Sequence, residues 1–180
     1  MRSPFHVAAE ASRARHVFGT LIQTVVMWTV FLGLMPWGLV SVESWLGVPS
    51  FVDRWSQIAG IAGFTACSAL GLWSGFSMAW HGEGTPLPTA TARRLVVVGP
   101  YRFVRNPMAI AGLGQGAAVG LWLGSWGVLT GVVTGLIIWQ VFVRPAEEAD
   151  LEARFGDEYR RYRTTVGCWF PTGRRPIDDH

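Results

Sequence analysis

The chain has 180 residues, half of them hydrophobic and 15% charged, and its formal net charge of +3 is set by 15 arginines, with no lysine, against 12 acidic residues. Soluble domains carry about 25% charged residues, so this composition and a mean hydropathy of +0.30 exclude an ordinary soluble enzyme. They suit a bundle of membrane helices, as do the 22 glycines, since Gly is commoner in such helices than in soluble ones.

Residues 17–42 carry no charge and read as one crossing at about 20 residues per span. The run is too long for a signal peptide, and no small-residue cleavage site follows it. Residues 43–54 read as a short interfacial loop, and Ser56 to Trp80 as a second crossing. His81 and Glu83 follow in a Gly/Pro-rich loop, and two such side chains make no metal site.

Pro107 to Val143 is an uncharged stretch of about 37 residues, where a single tilted helix needs at most about 25. Gly124-Ser125 divides it, so it reads as a tight helical hairpin spanning 107–123 and 126–143. Gly112, Gly116, Gly120 and Gly124 recur every four residues in one half, and Gly127, Gly131 and Gly135 in the other. Each set forms a flat ridge that allows close helix approach. Gly112-Leu113-Gly114-Gln115-Gly116-Ala117 imitates a dinucleotide fingerprint, but it follows no strand and opens no βαβ unit. After Pro145, Leu151, Phe155, Tyr159, Tyr162 and Val166 recur at helical spacing, with acidic residues early and arginines late, as the helix dipole favours.

The expectation is an all-α integral membrane bundle of about four transmembrane helices, with a tight hairpin and a C-terminal amphipathic helix. It reads as a single domain over residues 1–180. Four crossings put both termini, the 81–106 segment and the 144–180 segment on one side. All arginines except Arg54 lie there, so the positive-inside rule places that side in the cytoplasm. Arginines held between hydrophobic spans do not form the continuous basic face of a nucleic-acid binder. Cys67, inside a span, and Cys168, near the C-terminal end, are not expected to bridge. Nothing in the pattern sets an oligomeric state.

The hairpin brings two polar clusters together at one membrane face. Before it stands Gly99-Pro100-Tyr101-Arg102-Phe103-Val104-Arg105-Asn106-Pro107. Asn106 suits an N-cap and Pro107 the first helical position. A helix N-terminus suits an anionic group; Arg102 and Arg105 lie beside it, and Tyr101 offers a stacking face. After the hairpin stand Arg144-Pro145-Ala146-Glu147-Glu148.

In order along the chain come Gly99-Pro100-Tyr101, Arg105-Asn106-Pro107-Met108, a glycine-bearing hairpin, Glu147-Glu148, Leu151, Phe155-Gly156, Tyr159, Tyr162, and Trp169 with Pro171. This ordered set resembles the isoprenylcysteine carboxyl methyltransferase and phospholipid methyltransferase superfamily of integral membrane enzymes, over roughly residues 80–171. A Gly-x-x-x-Pro stretch before Arg93-Arg94-Leu95-Val96 resembles bacterial members, which implies the bacterial inner membrane. The resemblance implies methyl transfer from S-adenosylmethionine to a small lipophilic or lipid acceptor entering from the bilayer. Tyr101, Arg102, Arg105, Asn106, Pro107, Glu147, Glu148 and Tyr159 are the implied cofactor-side residues, with Arg105 and Glu148 closest to the chemistry. Asn106 stands where the family more often has His, and Gly167-Cys168 where many members have Pro-Arg. Transfer to phospholipid amines, a membrane reductase of the sterol reductase type, and a non-enzymatic scaffold remain as alternatives.

Overall fold

The structure is a computed structural model and describes residues 13–82 and 94–172. Glu83 and Arg93, and the terminal arginines Arg2, Arg174 and Arg175, lie outside the described residues. The chain is all helical, and its long helices cross one another as an integral membrane bundle. Helix α1 (Arg13–Trp28) continues through a π-helical segment, Thr29–Leu34, into α2 (Met35–Trp45). Helix α3 (Arg54–His81) returns, opened by a capping box in which Asp53 accepts from Ser56 N at 2.6 Å. A short 3-10 turn, Gly99–Arg102, leads to α4 (Pro107–Leu123). Then follow α5 (Trp126–Ile138), a second π-helical segment (Trp139–Val143), α6 (Arg144–Phe155) and α7 (Asp157–Thr165). Among the described residues, three helical stretches are long and apolar enough to cross a membrane, and α4 is a shorter apolar helix. Large side chains such as Phe31, Leu34, Val133, Ile137 and Phe142 stand exposed along these helices, as a lipid-facing surface requires.

The hairpin turns at Gly124-Ser125. Gly124 closes α4 in the left-handed region at φ 62°, and Ser125 opens α5 by accepting from Val128 N at 3.1 Å. A Cβ at Gly124 would also strike the backbone N of Val52, so conformation and space both demand glycine there.

Three expectations about the elements need correction. The 43–54 loop is shorter, because α2 runs to Trp45 and holds Glu43 in its last turns. Arg144-Pro145 does not end the hairpin; Trp126–Phe155 is one continuous helical run. A proline ring clashes with the carbonyl four residues back in an α-helix. Here a π-helical widening ends two residues before Pro145, and another two residues before Pro36, so the helix absorbs each proline by local unwinding. The C-terminal amphipathic helix is two helices, because Gly156 breaks it at φ 52°.

The glycine ridges divide their partners. Gly116 and Gly120 serve the hairpin, where an added Cβ would meet Val132 Cγ2 at 2.9 Å and Leu129 Cδ2 at 2.7 Å. Gly127 and Gly131 face α2 instead, at Glu43 and Leu39. The closest helix approach is between α3 and α4, the most extensive pair in the bundle. There a Cβ at Gly60 would meet Ala118 O at 2.7 Å, and one at Gly114 would meet Cys67 Sγ at 2.5 Å. Gln115, in the same interface, donates to Ser68 Oγ at 2.9 Å. Buried polar side chains in lipid need such a partner.

Candidate functional site

One end of the bundle collects the 3-10 turn, the start of α4, the whole of α6 and α7, and the segment after α7. Tyr159, Tyr162 and Val166 form a small buried core there, with Leu95, Val97, Leu151 and Phe155 packed around it. Tyr162 ties this core to the 3-10 turn by donating to Tyr101 O at 2.7 Å. The segment after α7 runs beside residues 104–105. Val104 and Gly167 form a parallel bridge, and Arg105 N donates to Gly167 O at 2.8 Å. Trp169 then donates to Gln140 Oε1 at 3.0 Å and packs edge-on against Trp139, 4.9 Å between centroids. A Cβ at Gly167 would overlap Phe170 O, so the tight turn before Trp169 requires glycine at that position.

Asn106 serves both sides of this junction. Its Oδ1 caps α4 by accepting from Ala109 N at 3.2 Å, while its Nδ2 donates to Glu147 Oε2 at 3.0 Å. Pro107, buried, occupies the first turn where its missing N–H costs nothing. Arg105 Nη1 donates to Glu148 Oε1 at 2.8 Å and to Tyr159 Oη at 3.3 Å. Arg144 Nε donates to the same Glu148 oxygen at 2.9 Å, and Arg163 approaches its other oxygen at 3.9 Å. The Arg105 and Glu148 side chains are 10% and 16% exposed. Arg105 Nε is buried without a hydrogen-bond partner among the described residues.

Arg105, Asn106, Glu147, Glu148 and Tyr159 thus converge on one cluster at the N-terminus of α4. The adjacent glutamates hold different positions. Glu148 is consumed by three arginines, whereas the described hydrogen bond to Glu147 comes from Asn106 alone and engages Oε2. Tyr101 is buried, at 5% exposure. Burial, with smaller contributions from Tyr162 and Glu147, holds its hydroxyl far above the usual phenol range, so it stays neutral. Its ring packs in the protein core instead of presenting the open stacking face expected of it. Arg102 closes the 3-10 turn beside Tyr101 and is partly exposed.

Cys168 lies within electrostatic reach of Arg144, Arg105, Glu148 and Glu147, and burial raises its pKa. Cys168 and Cys67 are both free cysteines. Sequence reasoning named Arg144 in the cluster after the hairpin and Trp169 among the ordered motifs, but gave neither a partner, and it missed Gln140. Arg144 lies four residues before Glu148, the spacing of a helical ion pair, and that pairing could have been read. Gln140 and Trp169 meet only through the fold, and no local pattern announces their contact.

The molecule is thus an all-helical membrane bundle with a charged cluster at the N-terminus of α4. The family model for phospholipid methyltransferases matches residues 56–158, more than half of the chain, and the protein belongs to that family. The match takes in α3, the hairpin, both glutamates and the first residues of α7. Membership implies methyltransferase activity. No curated protein and no solved structure matches the chain.

Proposed function

We propose that the protein transfers a methyl group from S-adenosylmethionine to a lipid acceptor at the membrane face where α4 begins. The observation that carries this reading is the Arg105–Asn106–Glu147–Glu148 cluster beside the α4 N-terminus. S-adenosylmethionine brings a carboxylate, an ammonium group and ribose hydroxyls, and this donor set fits them. Arg105 Nε is a buried donor left without a partner, and the cofactor carboxylate would satisfy it. Glu147 would accept from an ammonium or hydroxyl group with the oxygen that Asn106 leaves open. When bound, the cofactor would supply an activated methyl on a sulfonium: the acceptor's lone pair would form the new bond to carbon while the C–S bonding pair returns to sulfur as a neutral thioether.

The chain's own residues have little acid–base work in that step; they position. Glu148 fixes Arg105 from one side and Tyr159 from the other. Asn106 fixes Glu147 and α4 together. The strap carrying Gly167 and Trp169 covers the Arg105 backbone and limits water. Where the acceptor is an amine, Glu147 is the side chain placed to take its proton.

Among acceptors we take a phospholipid headgroup amine as the first reading, which the description of the matching family supports. The isoprenylcysteine carboxylate, whose enzymes the ordered motifs also resemble, is the second reading. The polar cluster sits at a helix end, at headgroup depth, which suits either one. Both termini face the cytoplasm in this reading, with the cluster on the same side. Purified protein in vesicles, given labelled S-adenosylmethionine, should label phosphatidylethanolamine and not a prenylcysteine analogue. Cofactor binding by calorimetry with no label in either acceptor would overturn the lipid acceptor. Absent cofactor binding would overturn the methyltransferase reading for this cluster.

A further inference from the structure

A groove of about 650 Å³ lies between the α1–α2 helix and the α3–α4 pair, within the roughly 300–1,000 Å³ of ligand-binding clefts. Trp28, Phe64, Trp37 and Trp122 are among its lining residues, and the Trp28 and Phe64 ring centroids lie 6.0 Å apart. Gly60 and Ala118 line its floor, and their backbones touch so closely that a Cβ on Gly60 would meet Ala118 O at 2.7 Å.

The groove is far from the charged cluster. Ala118 and Leu123, both lining it, stand 11 and 16 residues along α4 from Pro107, or about 16 and 24 Å at 1.5 Å per residue. The hydrocarbon midplane lies about 15 Å from either boundary. The groove therefore begins near the midplane and runs toward the end of the bundle that holds the Gly124-Ser125 turn. A lipid with its headgroup at Arg105 has chains that end near the midplane, short of the groove.

Its chemistry is that of a hydrocarbon site. No titratable side chain lines it, and its one side-chain hydroxyl, Thr65 Oγ1, already donates to Ile61 O at 2.9 Å. It is also continuous with the surface already in contact with lipid. Trp37, Ile61 and Trp122 line the groove and are 72%, 60% and 49% exposed, in line with the exposed Phe31 and Leu34. We infer that this groove is a binding site for the acyl chain of a bilayer phospholipid from the leaflet opposite the charged cluster. It is a resident-lipid site, separate from the methyl acceptor, and its occupancy does not depend on which group the cluster at the other end transfers.

The test uses the full chain in mild detergent, with dioleoyl phosphatidylglycerol as the probe, a lipid with no amine to methylate. Gly33 lines the groove, and a Cβ there meets nothing within 4 Å, so the first atom of a Gly33→Trp side chain has open space and its indole is the group introduced to fill the groove. Native mass spectrometry should show one tightly retained lipid on the wild type and its loss in Gly33→Trp, with cofactor affinity unchanged. Equal retention by the two proteins overturns the proposal. So does a rise in acceptor KM in Gly33→Trp, which would assign the groove to the acceptor chain. The wild type alone gives a second measurement, should the variant not fold. Delipidated protein should gain thermal stability saturably with the dioleoyl lipid, since a ligand that binds the folded state stabilises it. Dihexanoyl phosphatidylglycerol, with the same headgroup and chains too short to reach the groove, should give no such gain. Equal stabilisation by both lipids would mean that the headgroup, not the chain, is what binds.

Discussion

Asn106 carries two hydrogen bonds with separable purposes, and substitution can part them. Serine and aspartate both cap helices well, so Asn106→Ser and Asn106→Asp keep the bond from Ala109 N. Ionised aspartate has no donor for Glu147, and serine has a hydroxyl on Cβ in place of the longer amide that donates to it. Both variants should melt near the wild-type temperature yet bind S-adenosylmethionine more weakly, Asp more so because it sets a second carboxylate against Glu147. Wild-type affinity in both would show that Glu147 needs no positioning. The two glutamates should also separate. Glu147→Ala removes a ligand-facing carboxylate, and a charge-assisted hydrogen bond is worth roughly 1.5–3 kcal/mol, about tenfold to a hundredfold in affinity. Glu148→Ala instead strands Arg105 and Arg144 in a poorly solvated site. Breaking a buried pair costs about 3–5 kcal/mol, and exposure of 10–26% across these side chains places the loss toward or below the lower bound. Calorimetry and thermal melts on the two variants distinguish an affinity defect from a stability defect, and the same pattern in both would erase the distinction.

Element pairing decides which glycines matter. Gly60→Ala should destabilise the bundle, because its methyl group would meet backbone atoms of α4, Ala118 O at 2.7 Å and Trp122 N at 2.9 Å. Backbone cannot rotate away, and overpacking of this kind costs about 1–3 kcal/mol. Gly131→Ala meets only Leu39 Cδ1 at 3.7 Å, an ordinary contact, and should be neutral or stabilising through helix propensity, by up to about 1 kcal/mol. A melting temperature that falls equally in the two variants would contradict this packing. The far end of the hairpin has its own pin. Glu43 of α2 accepts from Ser125 Oγ and from Gly127 N, each at 2.5 Å, so a carboxylate from another helix sits at the N-terminus of α5, where the dipole favours it. Glu43→Ala should lower the melting temperature without changing cofactor affinity, since the site lies at the opposite end.

At the scale of the whole molecule, what could be read from the sequence was what local chemistry dictates. Gly124-Ser125 announced the hairpin turn because a left-handed cap and an N-cap lie side by side, and Asn106-Pro107 announced a helix start for the same kind of reason. The approach of Glu43 to α5, the Gly60–Ala118 contact and the Trp169–Gln140 bond each join residues more than 25 positions apart in sequence, and no periodicity encodes them. The Pro145 boundary misled because proline ordinarily ends a helix, while the π-helical turn before it removes the clash. Charge, by contrast, is summed over the chain and needs no contact to be read. Among the described residues, Arg94, Arg102, Arg105, Arg144, Arg154, Arg160, Arg161 and Arg163 belong to the end with the charged cluster, and Arg54 alone opens α3 at the other. Translocating the first group would oppose the bias that sets orientation, since Lys and Arg in short flanking segments are retained in the cytoplasm. A reporter fused after His180 should therefore be active when it requires the cytoplasm and silent when it requires export, and a second reporter inserted between Gly47 and Val48 should show the reverse. Export of the first fusion would turn the cluster away from the compartment that supplies S-adenosylmethionine, and would overturn the orientation and the proposed reaction together.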